Sequence, residues 1–221
     1  MRIGTRLKEI SKLINNKKCV VDVGCDHAFL PIYLVLNSKT LNAIAVDNKM
    51  EPLLSAKANI EKYNLESKIK TILSDGLINV DVNSYDALVI AGLGADTIIN
   101  ILSNGDVNKD AELILEANKG NKDLREFLMN NNYEIIDEVM VKDRAYFYTI
   151  IKAKYNPTSY NLSEKELFFG PILLKKYPQE FDDYLRFNIS ILERELERSG
   201  SDEIVKKIEV YKGVLRWNYL R

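Results

Sequence analysis

Apolar segments of strand length alternate with helical segments over the first 130 residues, and this alternation constrains the fold more than any other feature. A helical pattern over 5–16 comes first, and five strand-like runs follow, each leading into a helix: Val20–Val23, Asn42–Asp47, Ile69–Leu73, Ala87–Ala91 and Glu112–Glu116. Parallel strands need crossover helices, and these crossovers are right-handed. The pattern therefore predicts a doubly wound parallel sheet with helices on both faces.

The rhythm changes after the fifth helix. Segments 134–141 and 145–153 are two strand patterns joined by a short polar turn, which predicts an antiparallel hairpin. A parallel sheet that ends in an antiparallel pair is the arrangement of class I methyltransferases, whereas a short-chain dehydrogenase usually continues with parallel strands. We predict an α/β fold, a Rossmann-like sandwich of the class I methyltransferase type.

The C-terminal part of the chain is predicted to be helical. Two apolar stripes with 4-3-4 spacing flank Ser199-Gly200-Ser201; they are Leu185, Ile189, Leu192 and Leu196, then Ile204, Ile208, Tyr211 and Leu215. Matched stripes joined by a short turn predict an antiparallel helical hairpin with coiled-coil packing. We place a domain boundary before it, with a catalytic domain over 1–156 and a helical domain over 157–221. The stripes could instead form a dimer, but we expect a monomer.

The composition is that of a globular protein without membrane spans or disulfides. Hydrophobic residues make up 46% and charged residues 29% of the chain. No apolar stretch approaches the roughly 18 residues of a membrane span, and no signal peptide opens the sequence. Two cysteines, Cys19 and Cys25, give neither a disulfide framework nor a metal-ligand spacing. We predict a cytoplasmic protein that holds no metal.

Charge is distributed unevenly along a chain whose net charge is −1. Residues 1–18 contain six basic residues and one acidic residue, and residues 206–221 contain five basic residues and one acidic residue. Clusters of this kind can bind phosphates through their local field, although many are only solvated faces.

Residues suited to a nucleoside ligand stand at the ends of the predicted strands. Open parallel sheets bind ligands at the carboxyl ends of their strands. Gly24 lets a backbone approach closely, Asp47 suits two ribose hydroxyls, and Asp75 can accept from an adenine amino group. Gly92 ends the fourth strand and leaves space for a planar acceptor. A single acid of this kind often only caps a helix, but acids after three strands favour a ligand site.

The turn after the first strand departs from the dinucleotide fingerprint. That fingerprint needs three glycines, whereas here Gly24 is followed by Asp26 and Ala28 in the second and third positions. Asp26 would repel a pyrophosphate and would favour a cationic ligand, such as the sulfonium and amino group of S-adenosylmethionine. The negative charge of Asp26 therefore argues against NAD or ATP as the ligand of this turn.

Three motifs together resemble the TrmK family, bacterial tRNA methyltransferases that methylate N1 of adenine at tRNA position 22. They are Asp22-Val-Gly-Cys-Asp-His-Ala-Phe-Leu-Pro31, Ser74-Asp-Gly-Leu77 and Ile90-Ala-Gly-Leu-Gly94; Arg6-Leu7 and Phe169-Gly170-Pro171 also match. The resemblance implies S-adenosylmethionine as cofactor, tRNA as partner, and a helical hairpin that helps to hold the tRNA. The chain departs from the family pattern at Asp47, Leu93, Ala95, Glu116 and Ala117, so we assign no role to Glu116 or Ala117.

The strand ends and this resemblance give a set of candidate site residues. The cofactor candidates are Asp22, Gly24, Asp26, His27, Asp47, Asn48, Asp75, Gly76, Ala91 and Gly92. The tRNA candidates are Arg6, Tyr33, Gly94, Lys206, Lys207 and Lys212.

Asp26 and His27 are also the catalytic candidates. Methyl transfer depends mainly on positioning, and adenine N1 already carries a lone pair, so no general base is strictly required. A carboxylate near N1 would stabilise the cationic product, and Asp26 could do this or could bind the amino group of the donor. His27 could orient the base, assist proton loss, or simply cap a helix.

Two other functions remain open from the sequence. The chain could be an S-adenosylmethionine methyltransferase that acts on a different substrate, although a small-molecule enzyme has no need of a basic helical appendage. It could also be a non-catalytic RNA-binding module that keeps only the framework of a Rossmann-like fold.

Overall fold

The computed structural model describes residues 1–158 and 160–219. In chain order the elements are α1 (Thr5–Lys12), β1 (Lys17–Val23), α2 (Phe29–Leu36), β2 (Thr40–Asp47), α3 (Met50–Lys62), β3 (Ile69–Leu73), β4 (Ala87–Leu93), α4 (Ala95–Asn104), β5 (Glu112–Ala117), α5 (Asn121–Asn130), β6 (Tyr133–Asp143), β7 (Tyr146–Tyr155), α6 (Glu164–Phe169), α7 (Pro171–Lys176), α8 (Gln179–Ser199) and α9 (Asp202–Tyr219).

The strands form one sheet with the order β3-β2-β1-β4-β5-β7-β6. All pairs from β3 to β5 are parallel, whereas β7 pairs antiparallel with both β5 and β6. The chain order reverses between β1 and β4, which makes this the point where an open sheet leaves a crevice for ligands. The predicted doubly wound sheet with a C-terminal antiparallel pair is confirmed.

The predicted strands are all present, with bounds that shift by up to three residues, and three local features explain where elements begin or end. α1 ends at Lys12 rather than residue 16, because the chain turns through a left-handed Asn16 into β1. α3 begins at Met50, so Pro52 lies in its first turn, where a missing N–H costs no hydrogen bond. β4 continues past Ala91 to Leu93 and carries a register shift there.

The side chains of the central strands alternate between two buried layers. Val20 of β1 packs with α1 and α2 on one face, and Val21 packs with α4 on the other. Both are fully buried, as are Leu88 and Val89 of β4. Strands buried on both faces are apolar throughout, which is why they stand out in the sequence as continuous runs.

A buried ion pair joins the helical region to the sheet. Arg125 of α5 donates from Nε to Glu138 Oε1 of β6 at 2.8 Å, and both side chains are almost completely buried. Arg125 Nη1 also donates to the carbonyl oxygen of Leu167 at 2.9 Å, while Glu138 Oε2 accepts from the N–H of Ile172 at 2.9 Å. We call Arg125 and Glu138 the anchor pair, because they satisfy backbone groups at the end of α6 and the start of α7.

Gly170, between α6 and α7, leaves the space that Glu138 occupies. Its φ is +95°, and a Cβ there would lie 2.5 Å from a carboxylate oxygen of Glu138. Only glycine meets both conditions, the left-handed backbone and the close approach.

The helices α8 and α9 form the predicted hairpin. Leu185, Ile189, Ile204 and Ile208 are buried, and α8 and α9 contact each other along their length. Leu192, Leu196 and Leu215 are only partly buried, because the hairpin extends away from the sheet. No helix within residues 1–158 and 160–219 combines the length and the apolarity needed to cross a membrane.

Candidate functional site

A cavity of about 300 Å³ opens at the carboxyl ends of the central strands. It is lined by Val23, Gly24, Asp47, Asn48, Lys49, Pro52, Ser74, Asp75, Gly76, Leu93, Thr97, Asn100 and Ile101. Five of the ten predicted cofactor residues are therefore together in its wall, from the loops after β1, β2 and β3. The place agrees with the rule that open parallel sheets bind ligands at the switch point.

The turn after β1 forms one side of this cavity, and several of its residues have a left-handed backbone conformation. Gly24 has φ +77°, and the N–H groups of Gly24 and Cys25 both donate to the carbonyl oxygen of Val46, at 2.9 and 3.0 Å. Asp26 and Ala28 are also left-handed, with φ of 48° and 55°. Left-handed residues other than glycine cost energy and concentrate at functional sites, so this turn is a local signal of function.

Three carboxyl groups lie in or beside the cavity, whose lining also contains Lys49. Asp22 is buried beneath it, and this burial, followed by the nearby charge of Asp47, raises the pKa of Asp22 to about 7. Asp47 Oδ1 accepts from the N–H of Lys49 at 3.0 Å, and Oδ2 accepts from the N–H of Asp26 at 3.4 Å. Asp75, also in the lining, is exposed. These carboxyl groups suit a ligand that carries positive charge and hydroxyl or amino donors.

The raised pKa of Asp22 predicts that stability falls as the pH rises from about 4 to 7. The unfolded chain ionises this carboxyl near its ordinary value of 3.8, whereas the folded protein keeps the proton until about pH 7. The folded state therefore loses up to about 4 kcal/mol across this window. We expect Asp22→Asn to unfold at higher urea concentration than the original protein at pH 8. The two should differ little at pH 4; an equal difference at both pH values would contradict this prediction.

Asp26 and His27 lie at the rim of the cavity rather than in its wall. Their side chains are 71% and 45% exposed, and His27 Nε2 lies 3.4 Å from Asp26 Oδ1. The ring of His27 is 5.4 Å from the ring of Phe29, which is itself 42% exposed. Tyr33 lies one turn further along α2 and is half-buried. The backbone of Asp26 connects this group to the cavity wall through its bond to Asp47.

Cys25, in the same turn, is unsuited to nucleophilic chemistry. It is buried, and this burial, with the charges of Asp22 and Asp47, strongly raises the pKa of its thiol. The reactive thiolate is therefore not formed near neutral pH.

The other wall of the site is the end of β4, where Glu116 acts as a buried hub. Glu116 Oε2 accepts from the N–H of Gly92 at 2.9 Å and from Arg6 Nη1 at 3.0 Å. Asn118 donates from Nδ2 to the carbonyl oxygen of Gly92 at 2.7 Å, and its N–H donates to the carbonyl oxygen of Leu93 at 2.8 Å. These four bonds fix the strand end that carries Gly92, which has φ +83°.

Glu116 is completely buried, and its second oxygen, Oε1, has no hydrogen-bond partner within the described residues. Burial raises its pKa, although the charge of Arg6 and the N–H of Gly92 oppose the shift. The sequence analysis assigned no role to Glu116, because the chain departs from the family pattern at this position. Ala91 is half-buried in β4 beside this hub, and Gly94 forms the N-cap of α4.

Two polar residues of α4 complete the cavity and were not predicted. Thr97 and Asn100 are three positions apart, so they share the face of α4 that is turned to the ligand space. Their signal in the sequence is weak: they interrupt the apolar residues of a helix that follows a glycine-rich turn. No three metal-ligating side chains come together within the described part of the chain.

The predicted basic residues of the C-terminal region do not line this cavity. Lys206 and Lys207 line a second groove, of about 620 Å³, between α6 and α9, together with Phe168 and Val210. Lys212 pairs with Glu193 across the helical hairpin at 2.7 Å. Arg216 and Arg221, which belong to the same basic cluster in the sequence, lie outside the residues whose side chains the structure describes.

The comparisons with known proteins agree with this site. Residues 3–151 match a family model described as a methyltransferase domain. The chain is similar to the tRNA (adenine(22)-N(1))-methyltransferase of Bacillus subtilis (strain 168), with 31% identity over 95% of this chain and 92% of that protein.

Two solved structures with ligands are similar over nearly the whole chain. M. capricolum TrmK in complex with S-adenosyl-homocysteine superposes with a TM-score of 0.83 at 34% identity, over 96% of this chain and 97% of that one. Sp1610 of Streptococcus pneumoniae in complex with S-adenosyl-L-methionine superposes with a TM-score of 0.86 at 30% identity, over 97% of this chain and 100% of that one.

Proposed function

The chain belongs to the TrmK family of tRNA (adenine(22)-N(1))-methyltransferases, and from this we infer that it transfers a methyl group from S-adenosylmethionine to N1 of adenine 22 in tRNA. The observation that carries the proposal is the acid-lined cavity at the switch point of the sheet. Its negative wall fits a cationic donor, and the aspartate in place of the second glycine opposes a pyrophosphate.

We assign the cofactor to this cavity through groups of matching chemistry. Asp47, with two carboxylate oxygens beside the cavity, would accept from the ribose hydroxyls, and Asp75 would accept from the adenine amino group. Gly24 and Gly76 keep the wall open for close contact, and the charge of Asp26, together with Asp22 once it has lost its proton, would attract the cationic end. Asn48, His27, Ala91 and Gly92 complete the proposed contacts. When bound, S-adenosylmethionine supplies a methyl group on a positively charged sulfur.

The residues at the rim would hold the acceptor base and the charge that develops on it. N1 lies on the Watson–Crick edge, so the adenine must be unpaired or flipped out before it can react. We propose that Asp26 stabilises the positive charge of the methylated base and that His27 orients the base or assists proton loss from its amino group. Gly94 and Tyr33 would border the base, and Arg6 would contact the tRNA beside Gly92.

We further propose that the chain acts as a monomer in the cytoplasm, with its catalytic domain over 1–156 and a tRNA-binding helical domain over 157–221. The apolar stripes of α8 and α9 support the monomer, because Leu185, Ile189, Ile204 and Ile208 are already buried within one chain.

Nucleoside analysis tests the reaction directly. A tRNA transcript is incubated with the protein and S-adenosylmethionine, digested, and examined by mass spectrometry. The expected result is one added methyl group, as 1-methyladenosine, mapped to position 22. A methyl group on another base or position would contradict the proposed substrate. Failure to bind S-adenosylmethionine in calorimetry would remove the enzymatic proposal altogether.

Lys206 and Lys207 should bind tRNA phosphates on the helical domain. Both are exposed on the groove between α6 and α9, and Lys212 is the third member of the proposed contact. Replacing Lys206 and Lys207 by Ala should raise the KM for tRNA and flatten its salt dependence, by about 0.7–0.9 in the logarithmic slope for each phosphate that is no longer neutralised. The matched control is Lys57→Ala with Lys62→Ala, two exposed lysines of α3. Equal salt slopes for both double variants would refute the idea.

A further inference from the structure

The turn between β6 and β7 lies at the same edge of the sheet as the candidate site. β7 runs antiparallel to β5, and Glu116 of β5 pairs with Ile150 of β7. The residues that precede Ile150 therefore extend past the end of β5, toward the ligand edge of the sheet. Tyr146 and Tyr148 lie in this extension, on the side of the sheet that α1 covers.

These two tyrosines continue a strip of contacts that starts at Gly92. A Cβ on Gly92 would lie 3.4 Å from the guanidinium nitrogens of Arg6, so the two residues touch. The Arg6 guanidinium carbon lies 5.3 Å from the centre of the Tyr148 ring, and that ring lies 6.4 Å from the ring of Tyr146. Glu116 fixes the inner end of the strip through its bond to Arg6. We call Arg6, Tyr148 and Tyr146 the aromatic rim.

The outer end of the aromatic rim is exposed and has one basic neighbour. Tyr146 is 67% exposed, and Arg144 in the adjoining turn is exposed as well. Asp143 is the cross-strand partner of Tyr146, whereas Lys142 lies over the ring of Phe147 on the opposite face. Phe147, between the two tyrosines, faces the opposite side and packs on Tyr184 of α8 with ring centres 5.8 Å apart. The strand therefore buries Phe147 on α8 and leaves the ring of Tyr146 open to solvent.

Exposed aromatic rings next to arginine and lysine are the surface on which unpaired nucleobases stack. The guanidinium groups of Arg144 and Arg6 match the phosphates on either side of such a base, and arginine also stacks on bases. A protein partner would more often require a larger apolar patch. Charge and exposure therefore favour RNA as the occupant of this rim.

We propose that Tyr146 stacks on an unpaired base of the tRNA that neighbours the target adenosine, while Arg144 and Arg6 contact the adjoining phosphates. This inference rests on the proposed function and deepens it, because it assigns the part of the substrate that lies next to the reacting base. It places a second nucleotide on the protein, next to the part of the site where the target adenine would bind.

Substitution of Tyr146 tests the stacking contact. Tyr146→Ala should raise the KM for the tRNA transcript about 5- to 150-fold and weaken tRNA binding in gel-shift titrations by a similar factor. Tyr146→Phe should stay near the original protein, because it keeps the ring. The affinity for S-adenosylmethionine should not change in either variant. Leu41→Ala is the matched control, since Leu41 is also 67% exposed but lies at the start of β2, on the opposite edge of the sheet.

An abasic tRNA identifies the stacked base without relying on a variant. Transcripts that lack the base at position 21 or 23 are compared for both the original protein and Tyr146→Ala. One abasic transcript should bind the original protein as weakly as Tyr146→Ala binds the intact tRNA, and the two effects should not add. Unchanged binding of intact tRNA by Tyr146→Ala, or fully additive effects, would overturn the proposal. Gel-shift binding decides this point even if the tRNA is not methylated, so failure of the proposed function would be seen separately.

Discussion

Arg125→Met should lower the free energy of unfolding by about 3–5 kcal/mol, the cost of leaving one buried charge without its partner. The reason is the complete burial of the anchor pair: Arg125 and Glu138 lie where no water can replace the missing bonds. The substitution also removes the donor to the carbonyl oxygens of Leu167 and Phe168. Urea unfolding followed by circular dichroism measures the decrease in stability.

An exposed ion pair of the same helix, α5, provides the control. Lys122 of α5 and Glu164 of α6 lie 2.9 Å apart, but their side chains are 42% and 83% exposed. Solvent screens such a pair, so Lys122→Met should leave the unfolding midpoint almost unchanged. Arg125→Met with Glu138→Leu should recover part of the stability, because it removes the unpaired carboxylate but still leaves the N–H groups of Ile172 and Leu173 without an acceptor. An Arg125→Met protein as stable as Lys122→Met would contradict this account.

Asp26→Asn should lower kcat about 100-fold while the protein stays folded, if its carboxylate stabilises the charge on the methylated adenine. Asp26 is 71% exposed in the free protein, where water would weaken its charge. A bound base would cover it and lower the local dielectric constant, so the effect is expected in kcat rather than in stability. Single-turnover methylation of the tRNA transcript measures the chemical step.

The affinity for S-adenosylmethionine separates the two roles left open for Asp26. A lower kcat at unchanged cofactor affinity supports charge stabilisation, whereas a matching decrease in affinity places Asp26 on the donor's amino group. Asp110→Asn is the control, since Asp110 is also exposed but precedes β5, at the amino edge of the sheet. Undiminished methylation by Asp26→Asn at normal affinity would exclude both roles.

The fold was predictable because its central strands are buried on both faces. Such strands contain continuous apolar runs, and the hairpin of β6 and β7 is marked by a polar turn between two strand patterns. The walls of the cavity were predictable for a related reason: Gly24, Asp47 and Asp75 stand at the ends of successive apolar runs, and their combination favours a ligand site although a single acid often only caps a helix.

The contacts that fix the site were not predictable from the sequence. Glu116 continues an apolar strand, and its partners Arg6 and Gly92 are 110 and 24 positions away along the chain. The anchor pair is hidden in the same way, because Arg125 follows the pattern of an ordinary amphipathic helix until its neighbours are known. The roles of Glu116 and of the anchor pair depend on which elements lie next to each other in the fold. The spacing of residues along the chain does not predict this.

The anchor pair also determines how the chain divides into folding units. The proposed domain boundary near residue 156 leaves Arg125 and Glu138 on its N-terminal side, while the carbonyl and N–H groups that they satisfy belong to α6 and α7. The boundary between domains along the sequence therefore differs from the boundary between units that unfold cooperatively. The first turns of the helical region depend on the sheet for their hydrogen bonds, so the α6–α7 segment should melt together with β6 rather than independently of it.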